Sequence, residues 1–399
     1  MNHNTTTPQS TGLLSTAGQW SLDDVKTLAL LDQVQEDHSI YEVNTDDGNI
    51  TSFLLPHDPE TQTFLNRLQL GVYCKKPRPL AKIQSSKDFH GNEKLIVQFA
   101  KDIPVQLQAS ITTVFSMPES GKYEVGIELE IIHTVIQELS DQERHILCTF
   151  HPNDRYCNNQ AQDYVAALNH FQSMLNARMK SKIVRKRLYN RKMNRQNGKA
   201  NCMALVNALL KIHSKLLIVR VDLGLMRNPE SLAKHLVSPV HLASEHDSVF
   251  IVKALKRLND NARHNRMKNA LGYIHRIEYG AKKGFHVHAY YFFIGNDHQE
   301  DITWGQYIKQ QWEHVTQNNG SAFICNMKKA DYRYCSLGML DYSDKEMLKN
   351  LEKSFDYICK NDQYFQFTTQ KRIQGLRISE IPEIPEVKMG RPRKYDQSH

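Results

Sequence analysis

Long hydrophobic runs are missing from this chain of 399 residues. No apolar stretch approaches the roughly 20 residues that a membrane-spanning helix needs. The start, Met1 to Gln19, is polar and rich in Thr and Ser, without the apolar core of a signal peptide. The expectation is a soluble, cytoplasmic protein with no membrane contact. Cysteine is also sparse, seven in all, with no Cys-x-x-Cys pair. An odd number so scattered fits reduced thiols and argues against a disulfide framework. Cys148, His151 and Cys157 lie near one another, but their spacing matches no zinc-ligand pattern, so they read as separate core positions. A Gly-rich phosphate loop of the Walker type is absent, so nothing points to an NTPase.

Acidic residues are missing locally. Between Asp163 and Asp222 there is no Asp or Glu, while thirteen Lys and Arg residues fall in that window. The net charge is +8, so the rest of the chain carries −5 and the basicity is concentrated in one segment. Such a patch attracts a polyanion. Arg185, Lys186, Arg187, Arg191, Lys192 and Arg195 are the expected phosphate contacts, and Tyr189 among them is suited to stacking on a base.

What is present is most informative at residues 278 to 288, Glu278-Tyr279-Gly280-Ala281-Lys282-Lys283-Gly284-Phe285-His286-Val287-His288. Side chains on a strand alternate faces, so His286 and His288 point to the same side. Gly280 and Gly284 bracket a hairpin loop, each free to take positive φ. A loop centred on Lys282 sets Glu278 opposite His286 and Arg276 opposite His288. One carboxylate and two imidazoles then converge. That set suits a divalent cation, Mg²⁺ or Mn²⁺, with positions left open for a phosphate. The plainer alternative is a hydrophobic hairpin with polar residues on its wet face. The run Tyr290, Tyr291, Phe292, Phe293 reads as a buried central strand with the histidines at its end.

Residues 344 to 361, with Ser343 as cap, carry Leu348, Leu351, Phe355 and Ile358 at helical spacing. Lys349, Lys353, Tyr357, Lys360 and Tyr364 fall on the opposite arc. A tyrosine is thereby displayed among lysines, with the Lys360 ammonium one turn from its phenol. Lysines on the outer face of a surface helix are common, and the pattern alone is weak.

Together and in this order, the two motifs resemble the HUH endonucleases. More narrowly, Arg276 to Gly280, Gly284 to His288, the upstream Arg220-Val221-Asp222-Leu223, Trp312, and Tyr357 to Lys360 are similar to the inovirus-type (YagK/YfjJ-like) rolling-circle replication initiators. The resemblance spans roughly residues 200 to 378. It implies a metal-dependent DNA nickase in which His286, His288 and Glu278 are metal ligands, Tyr357 is the nucleophile and Lys360 its helper. It also implies single-stranded and duplex DNA at an origin as partners, with a host helicase and polymerase downstream. Many such initiators carry two nearby catalytic tyrosines. Here the later tyrosine on that face is Tyr364, seven positions on, which leaves a two-tyrosine scheme open. Asp222 could assist the site. A non-catalytic DNA-binding regulator retaining the initiator fold is the competing reading.

The expected organisation has four parts: an accessory region at 1–157 whose first 20 residues are disordered, a helix and basic segment at 158–199, the endonuclease domain at 200–378, and a linker with a basic tail at 379–399. In the accessory region, Lys94 to Phe99 and Ser110 to Phe115 read as strands and Glu124 to Glu138 as a helix. Tyr164, Leu168, Phe171 and Leu175 predict a helix entering the basic segment. Helices are expected at Cys202 to Ile212, Val249 to Leu258 and Gln306 to Val315. Strands are expected at Leu216 to Leu223, Tyr273 to Tyr279, Phe285 to Ile294 and Ala322 to Met327. Helices and strands mix without a βαβ rhythm, so the fold class is α+β, a central antiparallel sheet flanked by helices. In the tail, Met389-Gly390-Arg391-Pro392-Arg393-Lys394 resembles an AT-hook core, in which Arg391 and Arg393 would enter an A·T minor groove; a generic basic arm is the alternative.

Overall fold

The computed structural model describes residues 40–44, 50–54, 59–87, 90–91, 93–116, 123–151, 158–225, 245–262, 266–280, 284–359, 365–367 and 375–385, with single positions 28, 31 and 264. The expectations for residues 1–20, Cys157, Lys282, Lys360, Tyr364 and the tail with Arg391 and Arg393 lie outside these residues. The chain divides into one unit of residues 1–40 with 54–186 and another of 41–53 with 187–399. The division falls thirteen residues before the sequence-expected start of the second domain, inside a helix of 31 residues.

The order of elements is β1 (Ile40–Asn44), β2 (Ile50–Leu54), α1 (Pro59–Cys74), β3 (Ala81–Lys87), β4 (Glu93–Phe99), α2 (Val105–Ser116), β5 (Tyr123–Val125), α3 (Ile127–Glu138), α4 (Asp141–Thr149), α5 (Asn158–Met179), α6 (Lys182–Ile212), β6 (Lys215–Leu225), α7 (Glu245–Ala262), β7 (Ala270–Gly280), β8 (Gly284–Ile294), α8 (Asp301–Val315), β9 (Gly320–Ile324), β10 (Gly338–Asp341), α9 (Lys345–Ile358), β11 (Phe365–Phe367) and β12 (Leu376–Ile378). The α+β class and the antiparallel central sheet are as expected.

In the unit of residues 54–186, the β3–β4 hairpin accompanies a set of helices. Tyr164, Leu168, Phe171 and Leu175 are all buried on α5, as their spacing predicts. Gln172 on that helix donates to the carbonyls of Cys74, Lys76 and Arg78, which satisfies the carbonyl that ends α1 and the turn after it. Ser110 to Phe115, expected as a strand, is part of helix α2. Its β-branched run favours a strand locally, but Leu107, Ile111, Val114 and Phe115 are the buried positions, and a period of three to four is helical. The next helix begins at Ile127, and Glu124 sits in β5 instead.

The other unit is organised by β8, whose two neighbours are β6 and β7. The sheet runs β10-β6-β8-β7-β12, with β9 also paired to β6, and its ladders are antiparallel. Where a strand has a sheet partner on each side and helices over both faces, its side chains are apolar on both, which explains the buried aromatic run Tyr290 to Phe293. Tyr291 and Phe293 pack with Ile251 and Leu255 of α7 and with Ile308 and Trp312 of α8. Tyr290 and Phe292 pack on the other face with Leu205 and Leu209 of α6 and with Leu351 and Phe355 of α9. Each such side chain removed from water contributes about 1.5–3 kcal/mol. Trp312 also donates its Nε1–H to the Gly224 carbonyl at 2.8 Å. A Cβ at Gly320 would come within 2.7 Å of that indole, so β9 requires glycine there.

Two differences from expectation bear on the site. Ala322 to Met327 does not continue as a strand: β9 ends at Ile324 and Cys325–Asp331 turns into 3₁₀ helix, where Asn326 bonds the Arg220 N–H and the Ile218 carbonyl. The cap of α9 is Asp344 and not Ser343, because the Asp344 carboxylate accepts from the Met347 N–H at 2.9 Å.

Two histidines are buried as neutral rings. His133 on α3 accepts from the Arg67 guanidinium, and burial together with that charge holds its pKa down to about 3. His275 on β7 is fully buried beside Tyr273 and Tyr291; neither ring nitrogen has a hydrogen-bond partner, and burial, helped by Arg377, lowers its pKa to about 3. Their depressed folded values mean that the stability they contribute is complete above the unfolded value of about 6.5 and is lost as pH falls toward 3. Urea melts should therefore show a lower midpoint at pH 5 than at pH 7.5. His275→Leu should shrink that difference, and an unchanged difference would show that His275 does not carry it.

Candidate metal centre

Both expected pairings across the hairpin are present: Glu278 faces His286 and Arg276 faces His288, with Gly280 opposite Gly284. On the other side of β8, Asp222 of β6 faces His288. Directly opposed residues project to the same face, so Asp222, His286, His288, Arg276 and Glu278 share one face, the one that α6 and α9 cover.

Glu278 Oε2 lies 3.3 Å from His288 Nε2 and 4.0 Å from His286 Nε2. One ligand atom from each of the three lies within 4.8 Å of the others, the one such group of three among the described residues. Adjacent ligands of an octahedral cation bound at about 2.1 Å stand about 3.0 Å apart, so Glu278 and His288 are already near that spacing and His286 would have to close in on an ion.

The donor inventory at the centre also calls for a cation. His288 Nδ1 is 2.7 Å from Asp222 Oδ1, and a carboxylate only accepts, so Nδ1 carries the proton. Nε2 then offers a lone pair toward Glu278 Oε2, another acceptor, and the two are compatible only with a positive charge between them. In the absence of metal, a proton fills that role. Burial lowers the His288 pKa, but Asp222 and Glu278 outweigh it and the net shift is upward. Burial raises Glu278, while the bond from His288, the two imidazoles and Arg276 outweigh it and hold the carboxyl below its usual range. A field that favours a proton here also favours a cation, and the donor set of one carboxylate oxygen and two imidazole nitrogens fits a divalent ion with open positions.

Behind the ligands stands a support that sequence reading missed except for Asp222. Arg220 faces the two oxygens of Asp222 from Nε at 3.1 Å and Nη2 at 3.4 Å, and its Nη1 donates to the Tyr290 hydroxyl at 3.3 Å. Arg220 Nη2 also lies 3.1 Å from His288 Nδ1. The shorter Asp222 contact decides that this nitrogen donates. Asn326 fixes the Arg220 backbone and donates in turn to Asp301 Oδ2 at 2.7 Å. The one signal in the sequence was the Arg220 and Asp222 pair, two apart on an otherwise apolar strand. Arg276, expected to contact DNA, is instead only 6% exposed, and its Nε faces Glu278 Oε1 at 3.4 Å. Its guanidinium is turned toward Glu278, because the register that aligns His288 with it also turns it inward.

Helix α9 brings Tyr357 to this face. Leu351, Phe355 and Ile358 are buried beneath it, and Tyr357 remains 48% exposed, its ring centred 6.4 Å from that of His288. Lys349 and Lys353 are exposed on the same helix, and Lys353 Nζ sits 3.6 Å above the Tyr334 ring. The opposite flank is tied to α6 through Asp356 with Arg195 at 2.6 Å and Glu352 with Lys199 at 2.8 Å. Arg195 is thus half-committed to an ion pair. Arg185, Lys186, Arg187 and Lys192 are exposed on α6 and Arg191 is half-buried there. No helix among the described residues is long and apolar enough to cross a membrane.

Comparison with family models, with curated proteins and with solved structures finds no match to this chain. The functional reading therefore rests on the residues themselves.

Mn²⁺ titrated into the protein should bind at one site, read by calorimetry or by loss of the free-ion EPR signal. His288→Ala and Glu278→Gln should abolish or strongly weaken binding, and Asp222→Asn should weaken it about 10–100-fold by releasing the His288 ring. The proton and the ion compete for His288 Nε2, so affinity should be full above the raised His288 pKa and fall as pH drops through it. Binding that is unchanged in His288→Ala would place the ion elsewhere.

Proposed function

We propose that the chain is a metal-dependent single-strand DNA nickase and strand transferase that initiates rolling-circle replication of a phage or prophage-like element. The observation that carries this reading is the convergence on one sheet face of a two-histidine, one-carboxylate ligand set and an exposed tyrosine. The helix bearing that tyrosine is tied to a cation-rich helix. A bound Mg²⁺ or Mn²⁺ would supply Lewis-acid polarisation of the scissile phosphate. His286, His288 and Glu278 would hold it, and Asp222 and Arg220 fix the His288 ring with Nε2 toward Glu278.

Tyr357 Oη attacks phosphorus and releases its proton. The bond from phosphorus to the 3′-oxygen breaks, and that oxygen leaves as a 3′-hydroxyl after gaining a proton, while the 5′ end remains on the enzyme as a phosphotyrosyl ester. One phosphodiester-like bond forms for each one broken, so rejoining needs no nucleotide hydrolysis, in agreement with the missing Walker sequence. The α6 cations provide sequence-independent attraction for the backbone, and the freed 3′-hydroxyl is the primer for a host polymerase. Origin DNA, single-stranded at the cut, is the partner this chemistry requires.

The test is trapping from a randomised single-stranded library. Wild type with Mn²⁺ should form a denaturation-stable protein–DNA adduct, enriched for one sequence. Tyr357→Phe, which keeps the ring and loses the attacking oxygen, should bind the enriched strand and form no adduct. An adduct at normal yield from Tyr357→Phe would remove the nucleophile assignment. No adduct from wild type, with duplex binding intact, would support a non-catalytic regulator.

A further inference from the structure

A row of side chains crosses the sheet at the level of the metal ligands. Phe323 on β9 stands opposite Asp222 on β6, Asp222 opposite His288 on β8, and His288 opposite Arg276 on β7. Opposed residues share a face, so the Phe323 ring lies on the metal-site face, two strand spacings or about 9.5 Å from His288 along the row. Farther along the strands this face is roofed by α6 and α9, which bury Ile218, Ile274, Tyr290 and Phe292. Phe323 lies beyond that roof and is 50% exposed, while its neighbour Ile324 is buried in the opposite layer against Gly305 of α8.

A half-exposed aromatic ring on the same row as the candidate metal ligands is placed to meet a group bound at that centre. The ground beside it is low. The next position of β6 on this face is Gly224, which has no side chain of its own and is bordered by the small Ser321 of β9, whose Oγ would stand 3.0 Å from a Cβ there. Past β9, the chain exposes Met327 and Lys328. A half-open ring beside a low floor of glycine and serine makes a surface suited to a flat, uncharged ring on a charged backbone. A nucleobase of a single strand is such a group, since every base offers a face to stack and stacking tolerates sequence.

We infer that Phe323 is a stacking platform for a nucleobase beside the scissile phosphate, a subsite that fixes the strand while its backbone crosses the metal centre. This assignment rests on the nickase reading, since it takes single-stranded DNA as the occupant. Phe323 is a positioning residue. It touches the base and not the reacting atoms.

The test is a cycle between protein and probe, read by fluorescence anisotropy of the full chain with Mn²⁺. The probes are a labelled thymidine homopolymer of about twenty nucleotides and an abasic strand of the same length, and neither depends on knowing the origin. Phe323→Ala should weaken homopolymer binding about 5- to 150-fold, the range expected for one lost base–aromatic stack, and leave abasic binding unchanged. Phe323→Trp should restore affinity. Phe323→Leu, apolar but without a ring, should not, and its unchanged thermal midpoint would exclude misfolding as the cause. Unaltered homopolymer affinity in Phe323→Ala, or an equal loss on the abasic strand, overturns the platform while leaving the nickase reading standing. Absence of homopolymer binding by wild type overturns the platform, whose stacking tolerates sequence, and leaves the nickase reading to the library trapping.

Discussion

The register of the β7–β8 hairpin is the constraint on which the rest of the site depends. With Gly280 opposite Gly284, Glu278 and Arg276 fall opposite His286 and His288, and every residue of the row across β6, β8 and β7 shares one face. A slip of one residue would turn the ligands into the opposite layer and expose the apolar residues between them. Val287, Ala289, Tyr291 and Phe293 are all buried against α7 and α8, so the core penalises that slip heavily. The hydrophobic layer on one face thereby specifies the ligand geometry on the other.

Charge is arranged in the same economy. Two carboxylates are largely buried at this level, and each faces an arginine, Asp222 with Arg220 and Glu278 with Arg276. An uncompensated charge in such a place would neutralise or unfold its surroundings. Each arginine offsets the buried carboxylate it faces, and Arg276 uses Oε1 of Glu278 and leaves Oε2 toward the histidines. The cations on α6 play two distinct parts. Arg195 and Lys199 fasten the helix to α9, and those nearer its start remain exposed.

Much of this was legible in the sequence, and where it was not the reasons are physical. The hairpin could be read because two glycines fix the loop and strand alternation has a period of two. The helix of Tyr357 could be read because Leu348, Leu351, Phe355 and Ile358 fix its buried arc. The contacts of Asn326 with β6 could not, because they join residues more than a hundred positions apart and leave no local pattern. Helix α2 was misread because Ile111-Thr112-Thr113-Val114 has strand propensity, while packing against its neighbours selected the helix. Arg276 was grouped with the DNA-contacting cations because charge alone does not reveal which side of a strand is covered. Phe323 drew no notice, since its meaning depends on the β6–β9 ladder that brings it beside Asp222.

The most direct measurement is anomalous diffraction from crystals of the protein soaked in Mn²⁺. The account predicts one strong peak within about 2.0–2.2 Å of a Glu278 carboxylate oxygen and of Nε2 of both His286 and His288, with Tyr357 beside its open side. A peak bound elsewhere, or none at this position under saturating Mn²⁺, would contradict the account.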